Sequence, residues 1–292
     1  MEKRISGTTR LLGLIGSPVE HSGSPAMYNY GFQKLGIDYA YLVFNIDTVH
    51  AKDFLETAKL LNMRGFNVTM PCKAEVARLM DELSPAAQII GAVNTVVNEN
   101  GRLIGHNTDG VGFVRNLEDH GVTIQGKTIV LLGGGGAGTS IFAQLALDGA
   151  AKIQVFNRKG ANFDKLLEKT ALLREMVPAC QVEICDLEDE PLLYEKVREC
   201  DILINATSVG MTPRAGETLI SDTSVYREDM VVAEIVYNPL ETKMMADAKA
   251  AGVKNIVGGK GMLLWQGEEA FRLFTGQDMP VEEVKEAFFK GC

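Results

Sequence analysis

Residues 128–158 read TIVLLGGGGAGTSIFAQLALDGAAKIQVFNR, and this stretch limits the fold more than any other part of the chain. Residues 128–132 are a short, β-branched and apolar run, as a strand buried on both faces requires. Gly133, Gly134, Gly135 and Gly136 follow, then Ala137 and Gly138, so that Gly133, Gly135 and Gly138 fall on a G-x-G-x-x-G spacing. Ile141, Phe142, Leu145 and Ala146 continue at helical spacing, and residues 152–156 form a second apolar strand. The pattern predicts one β-α-β unit with its glycines at the strand-to-helix turn. A tight turn needs backbone freedom, a pyrophosphate needs bare N–H groups nearby, and the helix must pack close to the strand. The helix start also offers unpaired N–H groups and partial positive charge to phosphates. A glycine-rich loop alone is more often only a loop. Between a strand and a helix it reads as a dinucleotide site.

The rest of the composition narrows the class. A chain of 292 residues exceeds one comfortable core and predicts two domains. Its net charge of −9 argues against nucleic acid and anionic membranes as partners, and an anionic ligand must be held by local groups. Cys72, Cys180, Cys185, Cys200 and Cys292 are odd in number and lack C-x-x-C pairing. The expectation is therefore no structural metal, no disulfide framework, and a reducing cytoplasm. The apolar run at residues 11–15 is too short for a signal peptide or a membrane span.

Along the chain, strands are expected at residues 11–15, 39–46 and 65–70, with helices at 24–35, 48–62 and 73–82. Ser24 and Pro25 read as an N-cap and first helical residue. Val49 is placed on the core side of its helix. Residues 93–98 and 102–106 flank Asn100-Gly101, a hairpin turn. Beyond the glycine loop, strands at 181–185, 201–205, 230–236 and 254–257 alternate with helices at 164–176, 192–199 and 242–251. That alternation predicts a parallel sheet covered on both sides. Helical segments 262–274 and 281–289 have no strand left to follow and are expected to return to the first domain. The predicted architecture is α/β with two domains. An N-terminal domain, 1–109 completed by 262–292, accompanies a Rossmann-type parallel-sheet domain, 110–261.

Several segments resemble the shikimate dehydrogenase family. GSPVEHSGSPAMYN is similar to that family's serine loop, and GFNVTMPCK, GAVNTV, NTDG, GGGGAG, NATSVGM, YNP and GMLLWQG follow in the family's order and spacing. The likeness runs from Leu11 to about Gly276, and GMLLWQGEEAFRLFTG is most like the branch that also oxidises quinate. The resemblance implies reversible reduction of 3-dehydroshikimate to shikimate with NAD or NADP, a step of aromatic amino-acid biosynthesis, in the cytoplasm, with a homodimer as the open alternative to a monomer. A catalytically inactive, dinucleotide-sensing regulator on the same fold is the competing reading. The presence of both Lys73 and Asp109 favours the enzyme.

The family likeness also implies roles. Lys73, after the NVTMP run, matches the catalytic lysine, since carbonyl reduction needs a proton on oxygen as hydride reaches carbon. Asp109 matches its acidic partner and doubles as a helix cap. Ser22 and Ser24 match the residues that bind the substrate carboxylate, and Thr69, Asn94 and Gln266 those that hold the ring hydroxyls. Tyr41 is expected at a core strand position, with a place facing the same pocket as the alternative, and His21 as structural, while Tyr28 replaces a family histidine with little consequence. Gly133, Gly134, Gly135, Gly136, Ala137, Gly138, Asn157, Arg158, Lys159, Thr207, Tyr237 and Gly259 are implied as the dinucleotide site. An acidic residue for the ribose is expected at the end of the second strand in NAD enzymes. Here Arg158, Lys159 and Gly160 stand there instead, and no acidic residue is apparent, so use of both NAD and NADP is expected.

Overall fold

A computed structural model describes residues 5–289. Its strands are β1 (Arg10–Gly16), β2 (Tyr39–Asn45), β3 (Gly65–Val68), β4 (Glu82–Leu83), β5 (Thr95–Glu99), β6 (Arg102–His106), β7 (Thr128–Leu132), β8 (Lys152–Asn157), β9 (Gln181–Asp186), β10 (Ile202–Asn205), β11 (Val231–Glu234) and β12 (Asn255–Val257). Its helices are α1 (Ser24–Leu35), α2 (Ala51–Leu60), α3 (Lys73–Arg78), α4 (Pro85–Ile90), α5 (Asp109–Asp119), α6 (Gly136–Leu147), α7 (Ala161–Met176), α8 (Glu190–Glu199), α9 (Lys243–Ala250), α10 (Lys260–Thr275) and α11 (Val281–Phe288). Two compact units result: one runs through Thr108 and resumes at Gln266, and the other is Asp109–Trp265.

The first unit carries a six-stranded mixed sheet in the order β2-β1-β3-β5-β6-β4. β1 runs parallel to β2 and β3, and the β5–β6 hairpin is antiparallel. One face is filled by Phe54, Leu55, Met63, Phe66, Val76 and their neighbours. Elsewhere in this unit the aromatic rings are layered. Tyr28 stacks on Tyr41 with ring centroids 4.6 Å apart, and Phe32 lies on Phe271 at 5.3 Å. The end of α10 fits because two positions lack a side chain. A Cβ on Gly31 would meet the Phe271 ring at 2.8 Å, and one on Gly65 would meet Phe274 at 2.7 Å. Arg64 then ties this helix end down, donating Nε–H to the Phe274 carbonyl at 2.7 Å.

Several local expectations need correction. α2 begins only at Ala51, and Val49 is exposed rather than turned to the core. α3 stops at Arg78, and the chain then makes the two-residue β4, which pairs with β6, and the short α4. Ser24 is not an N-cap: Gly23 takes that place, and Ser24 is already helical.

The second unit is the predicted doubly wound sheet, in the order β12-β11-β10-β7-β8-β9 with every pair parallel. Residues 129–132 and 202–205 are buried, which explains why these strands are continuous apolar runs. The chain winds from β7 outward to β8 and β9, then returns to build β10, β11 and β12 on the other side. The strand order therefore reverses between β7 and β10. At such a switch point the carboxyl ends of the strands leave a crevice for a ligand.

Candidate active site

At the carboxyl end of β7, five glycines are used in different ways. Gly133 sits at φ +97°, which favours glycine, and a Cβ there would strike the Thr207 methyl at 2.6 Å. Gly138 lets α6 press onto the loop, since its Cβ would lie 2.1 Å from the Gly133 carbonyl oxygen. Gly135 and Gly136 are exposed, and a Cβ on either would meet nothing within 4 Å. No side chain caps the start of α6. The result is bare backbone opening on a helix N-terminus, and these residues fit a pyrophosphate. The additional glycine, Gly134, accommodates Leu166 of α7, whose Cδ1 would be 2.0 Å from a Cβ.

The neighbouring strand ends brace this loop. Asn157 accepts a bond from the Gly134 N–H at 3.1 Å and donates to the Arg158 carbonyl at 2.9 Å, so its amide shapes the turn. Thr207 follows β10, donating both its N–H and its hydroxyl to the Asn205 side-chain oxygen at 3.0 and 2.7 Å. Asn205 Nδ2 in turn donates to both oxygens of Glu234, at 3.1 and 2.9 Å, and Thr242 donates to the same carboxyl at 2.8 Å. Glu234 is fully buried, and burial pushes its pKa up to about 7 against the pull of those bonds. Gly259 packs on backbone, its Cβ position lying 2.3 Å from the Ile235 carbonyl, and Tyr237 is half exposed after β11.

The end of β8 carries no acidic residue, but the fold brings one beside it from β9. Asp186 ends β9 opposite Asn157 and forms an ion pair with Lys159, Nζ to Oδ2, at 2.9 Å. Arg158 is exposed beside it.

In the first unit, topology gathers the polar candidates on one sheet edge. The end of β1, carrying the serine loop, lies beside the end of β3, where Thr69 N–H donates to the Ile15 carbonyl at 2.8 Å and Ser17 N–H to the Met70 carbonyl at 3.0 Å. A Cβ on Gly16 would be 2.3 Å from the Thr69 methyl. Because β5 runs antiparallel to β3, its first residues reach the same edge. Val68 N–H bonds the Asn94 carbonyl at 2.8 Å, and Val93 N–H bonds the Lys73 carbonyl at 3.0 Å. Thr69, Lys73 and Asn94 therefore share one edge, and Ser22 and Ser24 lie in the loop and helix start that follow β1. Ser22 Oγ accepts the Ser24 N–H at 3.2 Å, a role that leaves its own proton to donate. Lys73 is the first residue of α3, and Asp109, in the other unit, is the first residue of α5. Gln266 opens this unit's part of α10, next to Gly267, which packs on Met27.

Beneath that edge lies a buried network that no motif announced. Asn67 accepts from the Tyr41 hydroxyl at 2.7 Å and donates to Thr95 Oγ1 at 3.0 Å and the Asn94 carbonyl at 3.2 Å. Asn94 is itself buried, its Oδ1 accepting the Thr108 N–H at 2.8 Å and its Nδ2 donating to Thr108 Oγ1 at 3.0 Å. Tyr28 is not incidental: it is buried against Tyr41, and burial pushes both hydroxyls well above their usual range. The available signal was Asn67 itself, a polar residue inside the otherwise apolar strand GFNV. His21 is exposed.

Residues 14–96 match the shikimate dehydrogenase substrate binding domain, 116–235 the shikimate / quinate 5-dehydrogenase domain, and 259–287 the shikimate 5'-dehydrogenase C-terminal domain. A shikimate dehydrogenase (NADP(+)) of Streptococcus pyogenes is 46% identical over 287 residues, 98% of each chain. The chain belongs to the shikimate dehydrogenase family. Among solved members, shikimate 5-dehydrogenase of Listeria monocytogenes, in complex with shikimate and NAD, superposes with a TM-score of 0.93 at 42% identity, covering 98% of each chain. Quinate dehydrogenase of Corynebacterium glutamicum, in complex with NAD, gives 0.83 at 31%, over 96% of this chain and 99% of its own. The family thus includes a member named for NADP and members solved with NAD. Among the described residues, no helix is long and apolar enough to cross a membrane.

Proposed function

We propose that the chain interconverts 3-dehydroshikimate and shikimate, with quinate as a secondary substrate. What supports this reading is the sheet edge in the first unit, where the chain around Thr69, Lys73 and Asn94 meets at the ends of β3 and β5, beside the serine loop that leaves β1. Hydroxyls without charge suit a carboxylate that the overall charge of −9 would repel. The 46% identity over 98% of a relative named as a shikimate dehydrogenase supports the substrate.

In this reading, residues 1–109 with 262–292 hold the substrate and 110–261 the dinucleotide. Ser22 and Ser24 donate to the carboxylate, and Thr69, Asn94 and Gln266 hold the ring hydroxyls. Lys73 delivers a proton to the carbonyl oxygen, or takes it back in the reverse direction, and Asp109 is assigned the role of its acidic partner. A bound nicotinamide dinucleotide supplies or accepts the hydride. Gly133, Gly135, Gly136, Ala137 and Gly138 hold its pyrophosphate, Arg158 and Lys159 face the ribose, and Thr207, Tyr237 and Gly259 line the other side of the switch point. Cytoplasmic residence, which the free Cys72, Cys180, Cys185 and Cys200 support, and a homodimer belong to the same proposal.

The test is to incubate the purified chain with shikimate and oxidised dinucleotide and identify the product by mass. The proposal requires 3-dehydroshikimate in equal amount to reduced dinucleotide. Dinucleotide binding without product would establish the regulator reading instead.

A further inference from the structure

The Lys159–Asp186 pair changes what the ribose end of the dinucleotide site can do. The end of β8 lies one β-α-β unit beyond the glycine loop, where the adenosine ribose of a bound dinucleotide comes to rest. Sequence alone places two cations there, Arg158 and Lys159, and nothing to oppose them. The fold adds Asp186 from the next strand over, in register with Asn157. Its carboxylate is held by backbone, Oδ1 accepting the Glu188 N–H at 3.1 Å, while the other oxygen binds the Lys159 ammonium at 2.9 Å. Asp186 is 22% exposed against 74% for Lys159, so the flexible lysine stem has come to a fixed acid.

We propose that Asp186 is the residue that sets dinucleotide tolerance, by drawing Lys159 away from a 2′-phosphate and cancelling its charge. Two cations would select NADP; one cation with a neutralised neighbour does not demand the phosphate. The acid also stands near enough to Lys159 to repel a phosphate that approaches it, so NADP binds at the cost of that pair while NAD leaves it untouched. The surroundings reinforce the effect. Asp186, then Glu188 and Asp189, favour the charged ammonium, and Lys159 in turn keeps the Asp186 carboxyl below the usual carboxylate range. An exposed pair of this kind is weak, which is why it tunes rather than forbids.

This inference rests on the proposed dinucleotide site, and equilibrium binding separates the two. Dissociation constants for NAD and NADP are measured by calorimetry on wild type, Asp186→Asn, Lys159→Ala and the double variant, with Asp186→Glu as the variant that keeps the charge. Asp186→Asn is expected to tighten NADP by roughly three- to tenfold and to change NAD much less. In wild type Lys159→Ala costs little for NADP, whereas added to Asp186→Asn it removes the gain. Asp186→Glu keeps a ratio of NAD to NADP close to wild type, which a purely structural role for Asp186 would not predict. An unchanged ratio in Asp186→Asn, with both dinucleotides still bound, overturns this inference and leaves the proposed function standing. Failure of wild type to bind either dinucleotide overturns both.

Discussion

In the proposed reading the backbone is the functional group at the end of β7, whereas at the end of β3 the side chains are. Around Gly133 to Gly138 the absence of side chains makes the site, so a built-in Cβ reports directly on function and packing. Along the edge formed by β1, β3 and β5, the same topological device brings ends of strands together, but what it gathers is hydroxyls, an amide and an ammonium. The difference teaches how each kind of site is read. A backbone site follows from geometry, because few arrangements satisfy a tight turn, a close helix and an open face at once. A side-chain site follows from chemistry, and geometry says only that the groups have been assembled.

The sharpest way to break that contrast is Lys73→Ala. Removing the proton donor is expected to lower kcat by about 10²- to 10⁴-fold while the dinucleotide dissociation constant stays within about twofold. Retention of a tenth or more of the wild-type kcat would exclude proton transfer by Lys73.

Next in size is Glu234, which supports the backbone site from below. Its folded pKa, about 7, stands above the ordinary 4.5. The folded state therefore holds the proton more tightly than the unfolded chain. This contribution is fully present below about pH 4.5 and is lost as pH rises through about 7. The shift corresponds to roughly 3 kcal/mol. Glu234→Gln removes the titrating group while keeping one acceptor oxygen for Asn205 and Thr242, and should flatten the fall of stability across that window, measured by denaturant unfolding at a series of pH values. An identical slope in the variant would show that the carboxyl does not titrate there.

Two glycines then separate packing from binding. Gly138→Ala places a methyl against the Gly133 carbonyl and is expected to destabilise by about 1–3 kcal/mol, seen as a lower Tm. Gly135→Ala meets nothing within 4 Å, so Tm should hold while dinucleotide binding weakens by roughly tenfold, about 1.4 kcal/mol. Equal Tm losses in the two variants would contradict the distinct uses assigned to them.

The smallest effect belongs to the side-chain site. Ser22→Ala should raise KM for shikimate several-fold with little change in kcat, because a carboxylate contact is present in ground and transition states alike, worth about 1 kcal/mol. An unaltered KM removes Ser22 from the pocket.

The same contrast explains what could be read in advance. The parallel sheet was legible because β7, β8 and β10 are buried along most of their length and therefore largely apolar. β4 was not, since Glu82–Leu83 has no pattern of its own and exists only through its pairing with β6. α4 carried a signal that went unused: Ser84 and Pro85 repeat the Ser-Pro pair that opens α1, and here the serine does cap, accepting the Ala87 N–H at 3.4 Å. Asp186 was hidden for a different reason. Its partner lies one strand away, so only strand order and register bring the acid to Lys159. Asn205 and Glu234 meet in the same way, across the pair β10–β11.

The account as a whole is tested most directly by initial rates of the purified wild-type chain with shikimate and with quinate, each paired with NAD and with NADP. It predicts turnover of shikimate with both dinucleotides, and slower turnover of quinate. Absence of turnover in all four combinations, from folded protein that still binds the dinucleotide, would contradict it.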